Sequence, residues 1–170
     1  AAWDEAWNVI LDWDYSISKK SQETIQVKKG TVMSEPTKPS VTGYNLTAWY
    51  KDKSGTTFTN PWDFSSSVTA SMTLHAKWEE IPVSSITFSE KNITLEKNES
   101  KTVTISIQPD NAKNKNVSYT ASPASGVVQL TKTATGVTIK GLAKGTATVT
   151  VTSESGGKTD TLNVKVTSGE

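Results

Sequence analysis

The sequence predicts a mostly β protein made of two small modules that meet near Pro82, and three observations predict it. Thr, Ser, Val and Ile recur in period-two alternation, while the Ala-, Leu- and Glu-rich runs that build long helices are missing. Gly, Pro, Asn and Asp interrupt the alternation in the second half at roughly 8- to 12-residue intervals. All six tryptophans, Trp3, Trp7, Trp13, Trp49, Trp62 and Trp78, precede residue 80. The composition break falls on Glu79-Glu80-Ile81-Pro82-Val83, where the proline lacks a backbone donor and favours an extended path. Modules are therefore expected over residues 1–80 and 81–170.

With no cysteine in 170 residues, no disulfide staples either module, and each must rely on its own core and hydrogen-bonded sheets. The formal net charge is +1, and all 18 basic residues are Lys. Without Arg there is no bidentate donor for phosphate or guanine, which argues against a nucleic-acid partner. Residues 1–80 carry 8 Lys against 10 Asp and Glu, and the rest carry 10 against 7. Differences of −2 and +3 are too small for electrostatic steering. No stretch approaches the roughly 18–20 apolar residues of a membrane span. The start, Ala1-Ala2-Trp3-Asp4-Glu5, lacks the basic and apolar regions of a signal peptide, so any signal or anchor is expected to have been removed.

In the second module one inward face is read from Ile86 and Phe88; Ile93 and Leu95; Val103, Ile105 and Ile107; and Val117, Tyr119 and Ala121. It continues through Val128 and Leu130; Val137 and Ile139; Ala147, Val149 and Val151; and Leu162, Val164 and Val166. That makes about eight short strands. Turn chemistry separates them at Lys97-Asn98-Glu99, Pro109-Asp110-Asn111, Pro123-Ala124-Ser125-Gly126, residues 141–145 and Gly156-Gly157. Half-apolar strands of this kind bury their faces in two packed sheets, with a barrel as the alternative.

The order Val83-x-x-Ile86-x-Phe88, Ile93-x-Leu95, Ile107-x-Pro109-x-Asn111-Ala112 and Val117-x-Tyr119 resembles bacterial immunoglobulin-like domains of group 2. The stretch from Val137 through Gly141 and Gly145 to Val151 is similar to that family's closing signature, and the resemblance covers residues 83–167. It implies an immunoglobulin-like β-sandwich serving as a non-enzymatic spacer or adhesive unit. Two departures stand out. Tyr119 replaces the family's usual Trp and still fills the core with an aromatic, and Asn98 replaces a common turn glycine. Asn is the non-glycine residue best suited to a left-handed turn.

In the first module, strand-like runs occur at residues 8–15, 23–28, 47–51 and 72–78. Between the second and third, Pro36 and Pro39 fix φ and withhold donors, so a short helix or an irregular crossover is expected there. The set Glu35-Pro36-x-x-Pro39, Gly43-Tyr44, Trp49-Tyr50-Lys51-Asp52, Trp62-Asp63-Phe64 and Leu74-x-Ala76-x-Trp78 resembles the Listeria–Bacteroides repeat, the B-repeat of internalin-type surface proteins, over residues 8–79. The resemblance implies a small β-grasp-like α+β module in which Gly43 turns the chain and Tyr44, Trp49, Trp62 and Trp78 are framework aromatics. The family's glycine hairpin is replaced here by Asp12-Trp13-Asp14-Tyr15-Ser16-Ile17-Ser18, so a longer first loop is expected.

Catalytic chemistry finds little to work with: no Cys, and one His, His75, on a strand whose opposite face carries Leu74, Ala76 and Trp78. His75 is expected to face solvent. Asp12-x-Asp14-x-Ser16 follows calcium-loop spacing, but Ile17 stands where glycine must turn the loop. An EF-hand is excluded, and neither a metal nor another cofactor is expected. Exposed indoles stack on sugars, and Trp13, beside the altered hairpin, is the expected ligand-contact residue. Trp3 and Trp7 are expected to pack on the module's edge. The chain thus reads as a non-catalytic fragment of a bacterial cell-surface or secreted protein, acting in adhesion or as a spacer, with an unidentified host or cell-surface protein or glycan as partner. The alternative is a carbohydrate-binding accessory region of a larger secreted glycan-acting enzyme.

Overall fold

The computed structural model describes residues 5–169. The chain divides into two compact units, with the division between Glu80 and Ile81.

The N-terminal unit holds β1 (Ala6–Asp12), a single helical turn α1 (Tyr15–Ser18), β2 (Glu23–Lys28), β3 (Tyr44–Ser54), β4 (Thr57–Pro61) and β5 (Met72–Glu80). Its strands form one mixed sheet in the order β2-β1-β5-β3-β4. The central pair is parallel, running from Val9 opposite Met72 to Asp12 opposite His75, and the remaining pairs are antiparallel. Alternation along β1 and β5 sends Val9, Leu11, Leu74 and Ala76 to one face, where they pack with Trp13, Val27, Leu46 and Trp49. Met33 and Val68, from the irregular segments on either side of β3 and β4, join that core. Residues 29–43 adopt the irregular crossover, as expected of a segment in which Pro36 and Pro39 donate no backbone hydrogen bond. A bridge between Val32 and Ser67 ties the two segments together. Among the described residues of this unit the helix content is α1 alone, so loops, not a helix, lie over the sheet. Gly43 turns the chain at φ +83°, a conformation open to glycine.

The C-terminal unit has β6 (Ser85–Phe88), β7 (Asn92–Glu96), β8 (Ser100–Gln108), β9 (Val117–Ser122), β10 (Val128–Lys132), β11 (Gly136–Gly141), β12 (Gly145–Ser153) and β13 (Thr159–Thr167). These are the eight strands the alternation predicts. Two four-stranded sheets, β10-β11-β8-β6 and β7-β13-β12-β9, enclose one apolar core that includes Ile86, Leu95, Val103, Ile139, Val149 and Leu162. The fold is the predicted sandwich. The outward face of β12 is a row of Thr146, Thr148, Thr150 and Thr152, with Asn163, Thr161 and Thr159 beside the last three on β13.

Two turns show why particular residues are needed. Asn98 has φ +71°, the left-handed conformation expected for it, and its N–H donates to the Gly141 carbonyl at 2.8 Å. The buried Ser153 hydroxyl accepts the Lys158 N–H and donates to the Ser155 carbonyl, both at 2.8 Å, closing the β12–β13 connection from within. Gly136 has a steric role, since a Cβ there would lie 2.1 Å from the Val103 carbonyl oxygen on β8.

Candidate functional site

The altered first hairpin is the most individual feature of the N-terminal unit. Asp12 ends β1, and its Oδ1 accepts the Asp14 N–H at 3.2 Å. Asp14 and Lys19, at φ +52° and +57°, bracket α1 with two left-handed residues. The Ile17 and Ser18 amides donate to the Asp14 carbonyl at 3.0 and 2.9 Å, and the Lys19 amide donates to that of Tyr15 at 3.1 Å. The loop is longer than a glycine hairpin, as expected, and it is ordered by its own hydrogen bonds.

Side chains then sort themselves by face. Trp13 continues the Val9-x-Leu11 alternation inward and is only 1% exposed, against Trp49 at a 4.8 Å centroid separation and 76° between planes. The Lys20 ammonium lies 3.8 Å from the Trp13 ring centroid, a cation–π contact. The Trp13 carbonyl accepts the Trp78 indole N–H at 3.0 Å. So placed, Trp13 has no free ring face for a ligand, and the expectation that it contacts one is corrected: the strand alternation carries through it. Tyr15 points outward instead, 63% exposed, with the Lys19 ammonium 5.9 Å from its ring.

The carboxylates are already engaged. Asp12 Oδ2 lies 2.8 Å from His75 Nδ1, so the His75 side chain is largely covered and held in a hydrogen bond with a carboxylate, not simply solvent-facing. Asp14 accepts from the Ser16 hydroxyl and pairs with Lys53 from β3 at 3.0 Å. Burial opposes ionisation of Asp14, but the Ser16 hydrogen bond, followed by the hydrogen bond and charge of Lys53, holds its carboxyl below the ordinary value. Ser16 and His75 thus go to different aspartates, the Ser16 hydroxyl to Asp14 and the His75 ring to Asp12. Among the described residues, no three His, Cys, Asp or Glu side chains are grouped to hold a metal. No helix there is long and apolar enough to cross a membrane.

The other tryptophans are mostly structural. Trp49 is buried, while Trp62, Trp78 and Trp7 are part-buried against the same core. Lysines lie over two of them, Lys29 at 4.7 Å from the Trp7 ring and Lys51 at 5.0 Å from that of Trp62. Trp3 lies outside the described residues. In the sandwich, Tyr119 packs 6.3 Å from Phe88, and its hydroxyl is buried without a hydrogen-bond partner. Burial pushes that hydroxyl's pKa up.

Comparison with known families agrees with this division. The model of the bacterial Ig-like domain (group 2) matches residues 82–169. The chain belongs to that family. Within this group 2 Ig-like protein, the preceding unit matches the Listeria-Bacteroides repeat domain over residues 14–77. An Ig-like virion protein of Serratia phage KSP90 is 39% identical over 87 residues, 51% of this chain and 32% of that protein. A putative Gly-rich membrane protein of Evansella cellulosilytica is 36% identical over 92 residues, 48% of this chain and 10% of that protein. The chain thus spans about a third and a tenth of these two relatives. Among solved structures, domains 5–6 of the S-layer protein SbsC are 26% identical with a TM-score of 0.40, covering 52% of this chain and 45% of that one. A longer SbsC structure is 18% identical with a TM-score of 0.45, covering 76% and 20%.

Proposed function

We propose that this group 2 Ig-like chain is a non-catalytic spacer pair in a bacterial cell-surface or secreted protein, with the Tyr15 loop as its adhesive contact. One observation carries the reading: each unit turns its large apolar side chains into its own core. Among the described residues, only Tyr15 and Val32, at 63% and 55%, are large exposed hydrophobics. Surfaces of that kind hold domains apart in water and offer no extended apolar patch for an obligate partner. The names of the two relatives, a virion protein and a membrane protein, fit an exterior location. The carbohydrate-binding alternative draws on the tryptophans of the first unit, and the best-placed of them, Trp13, is buried.

The test is on whole cells that make the full-length protein. An antibody against this chain is expected to label intact cells, and labelling only after lysis overturns the surface reading. Replacing residues 81–170 with an unrelated sandwich of equal length is expected to leave display of the rest of the protein unchanged; loss of display would show a specific role.

A further inference from the structure

Both units place a strand near their beginning beside their last strand and parallel to it. In the N-terminal unit β1 lies against β5, and in the C-terminal unit β7 lies against β13. This arrangement determines how the chain takes a pull. When one end of the chain is drawn away from the other, β1 is pulled by its N-terminal end and β5 by its C-terminal end; in the C-terminal unit the pull first meets β6, which is antiparallel to β8, and once β6 has come away it passes to the N-terminal end of β7 and the C-terminal end of β13. For parallel neighbours those ends are at opposite ends of the ladder, so the strands slide and every cross-strand hydrogen bond resists at once. For antiparallel neighbours the pulled ends are at the same end, and the bonds open one after another.

The two ladders are also fastened at their margins by further bonds. In the N-terminal unit, four register pairs run from Val9 opposite Met72 to Asp12 opposite His75. Ahead of them the Asn8 N–H donates to Ser71 Oγ at 3.0 Å. At the last of them the side chains of Asp12 and His75 also meet at 2.8 Å, and beyond it comes the bond from the Trp78 indole to the Trp13 carbonyl. In the C-terminal unit, five register pairs run from Asn92 opposite Asn163 to Glu96 opposite Thr167. One margin holds the Lys91–Asp160 ion pair and the Asn163 N–H donating to the Lys91 carbonyl at 2.9 Å. The other margin has the Lys97 N–H donating to the Thr167 carbonyl at 3.1 Å. Asp160 also accepts the Phe88 N–H at 2.7 Å, which ties the end of β6 to β13. The two units differ in sheet arrangement and core composition, yet they share this mechanical geometry.

We infer that the chain is a tension-bearing element, in which β1–β5 and β7–β13 act as shear clamps in series. The inference deepens the spacer reading, which it needs only to explain where the tension comes from. The clamps themselves are properties of this chain.

Single-molecule pulling tests it. The chain has no cysteine, so introduced pairs give unique attachment points. The full chain is pulled from its two ends, then from Ser89→Cys with Thr161→Cys, and separately from Asn8→Cys with Ala70→Cys. These four positions are exposed, and each pair places both handles at one end of its ladder, so the clamp is peeled. Forced unfolding follows the unfolding barrier, so end-to-end pulling is expected to need at least about twofold more force per unit than peeling at the same loading rate. Equal rupture forces in the two geometries overturn the inference. Because the comparison is between directions in one sequence, reduced stability of a variant does not produce the expected difference. Labelling of intact cells tests the surface reading independently, so either can fail without the other.

Discussion

In the N-terminal unit one sheet is covered by irregular chain, whereas in the C-terminal unit two sheets cover each other. The difference shows in the residues that fill the two cores. A sheet facing loops meets no second set of alternating side chains, so its volume is filled by Trp13 and Trp49, with Trp62 and Trp78 at the margin. A sandwich receives side chains from both sides and is filled mainly by Val, Ile and Leu. Fewer, larger side chains mean that each aromatic supports more of its neighbours.

The largest expected effect breaks the comparison if it fails. Trp49→Ala is expected to cost about 3–5 kcal/mol, as buried aromatic truncations do. Because all six tryptophans lie before residue 80, their emission follows that unit alone. Denaturation is expected to show the emission transition moved and the sandwich's transition, followed by circular dichroism, in place. Equal movement of both would mean that the two units unfold as one. Next is Gly136→Ala, expected to cost the sandwich about 1–3 kcal/mol through overpacking against β8, while the emission transition stays where it is.

Acid sharpens the comparison in a different way, because each unit has a lysine-paired carboxyl held below its ordinary value of 3.8, Asp14 in the first and Asp160 in the second, while Asp63 in the first is lowered by its hydrogen bonds from Ser65. For Asp160, burial works against ionisation, and it is outweighed by the Lys91 hydrogen bond and the Phe88 and Thr161 amides. A depressed folded pKa gives stability that is present above 3.8 and is lost as pH falls through the folded value, since there the unfolded chain binds more protons. Both units are therefore expected to weaken below that pH. Asp160→Asn should flatten the acid dependence of the sandwich only, in melts taken across a pH series. The smallest effect is expected from Tyr119→Phe. It removes a buried hydroxyl that has no partner, so sandwich stability should be unchanged or raised by up to about 1 kcal/mol in chemical denaturation.

How much of this was legible depends on whether burial leaves a period in the sequence. All eight sandwich strands have one face packed, so alternation such as Ala147-x-Val149-x-Val151 locates them directly. β4 escapes because an edge strand with one partner and four of five residues exposed carries no such period. α1 escapes because one turn held by two left-handed residues is too short for a helical repeat. Trp13 was misplaced for another reason. Val9-x-Leu11-x-Trp13 already puts it on the inward face, and in the loop that replaces the glycine hairpin the exposed aromatic is Tyr15.

The threonine row on the outer face of β12 has a consequence for crowding. β-Branched hydroxyl residues favour the extended backbone as Val does, yet they give a neighbouring molecule no dry surface to stack against. Burying those hydroxyls between two sheets would strip their water without supplying partners for all of them. Two copies brought face to face across these threonines would therefore stay separate.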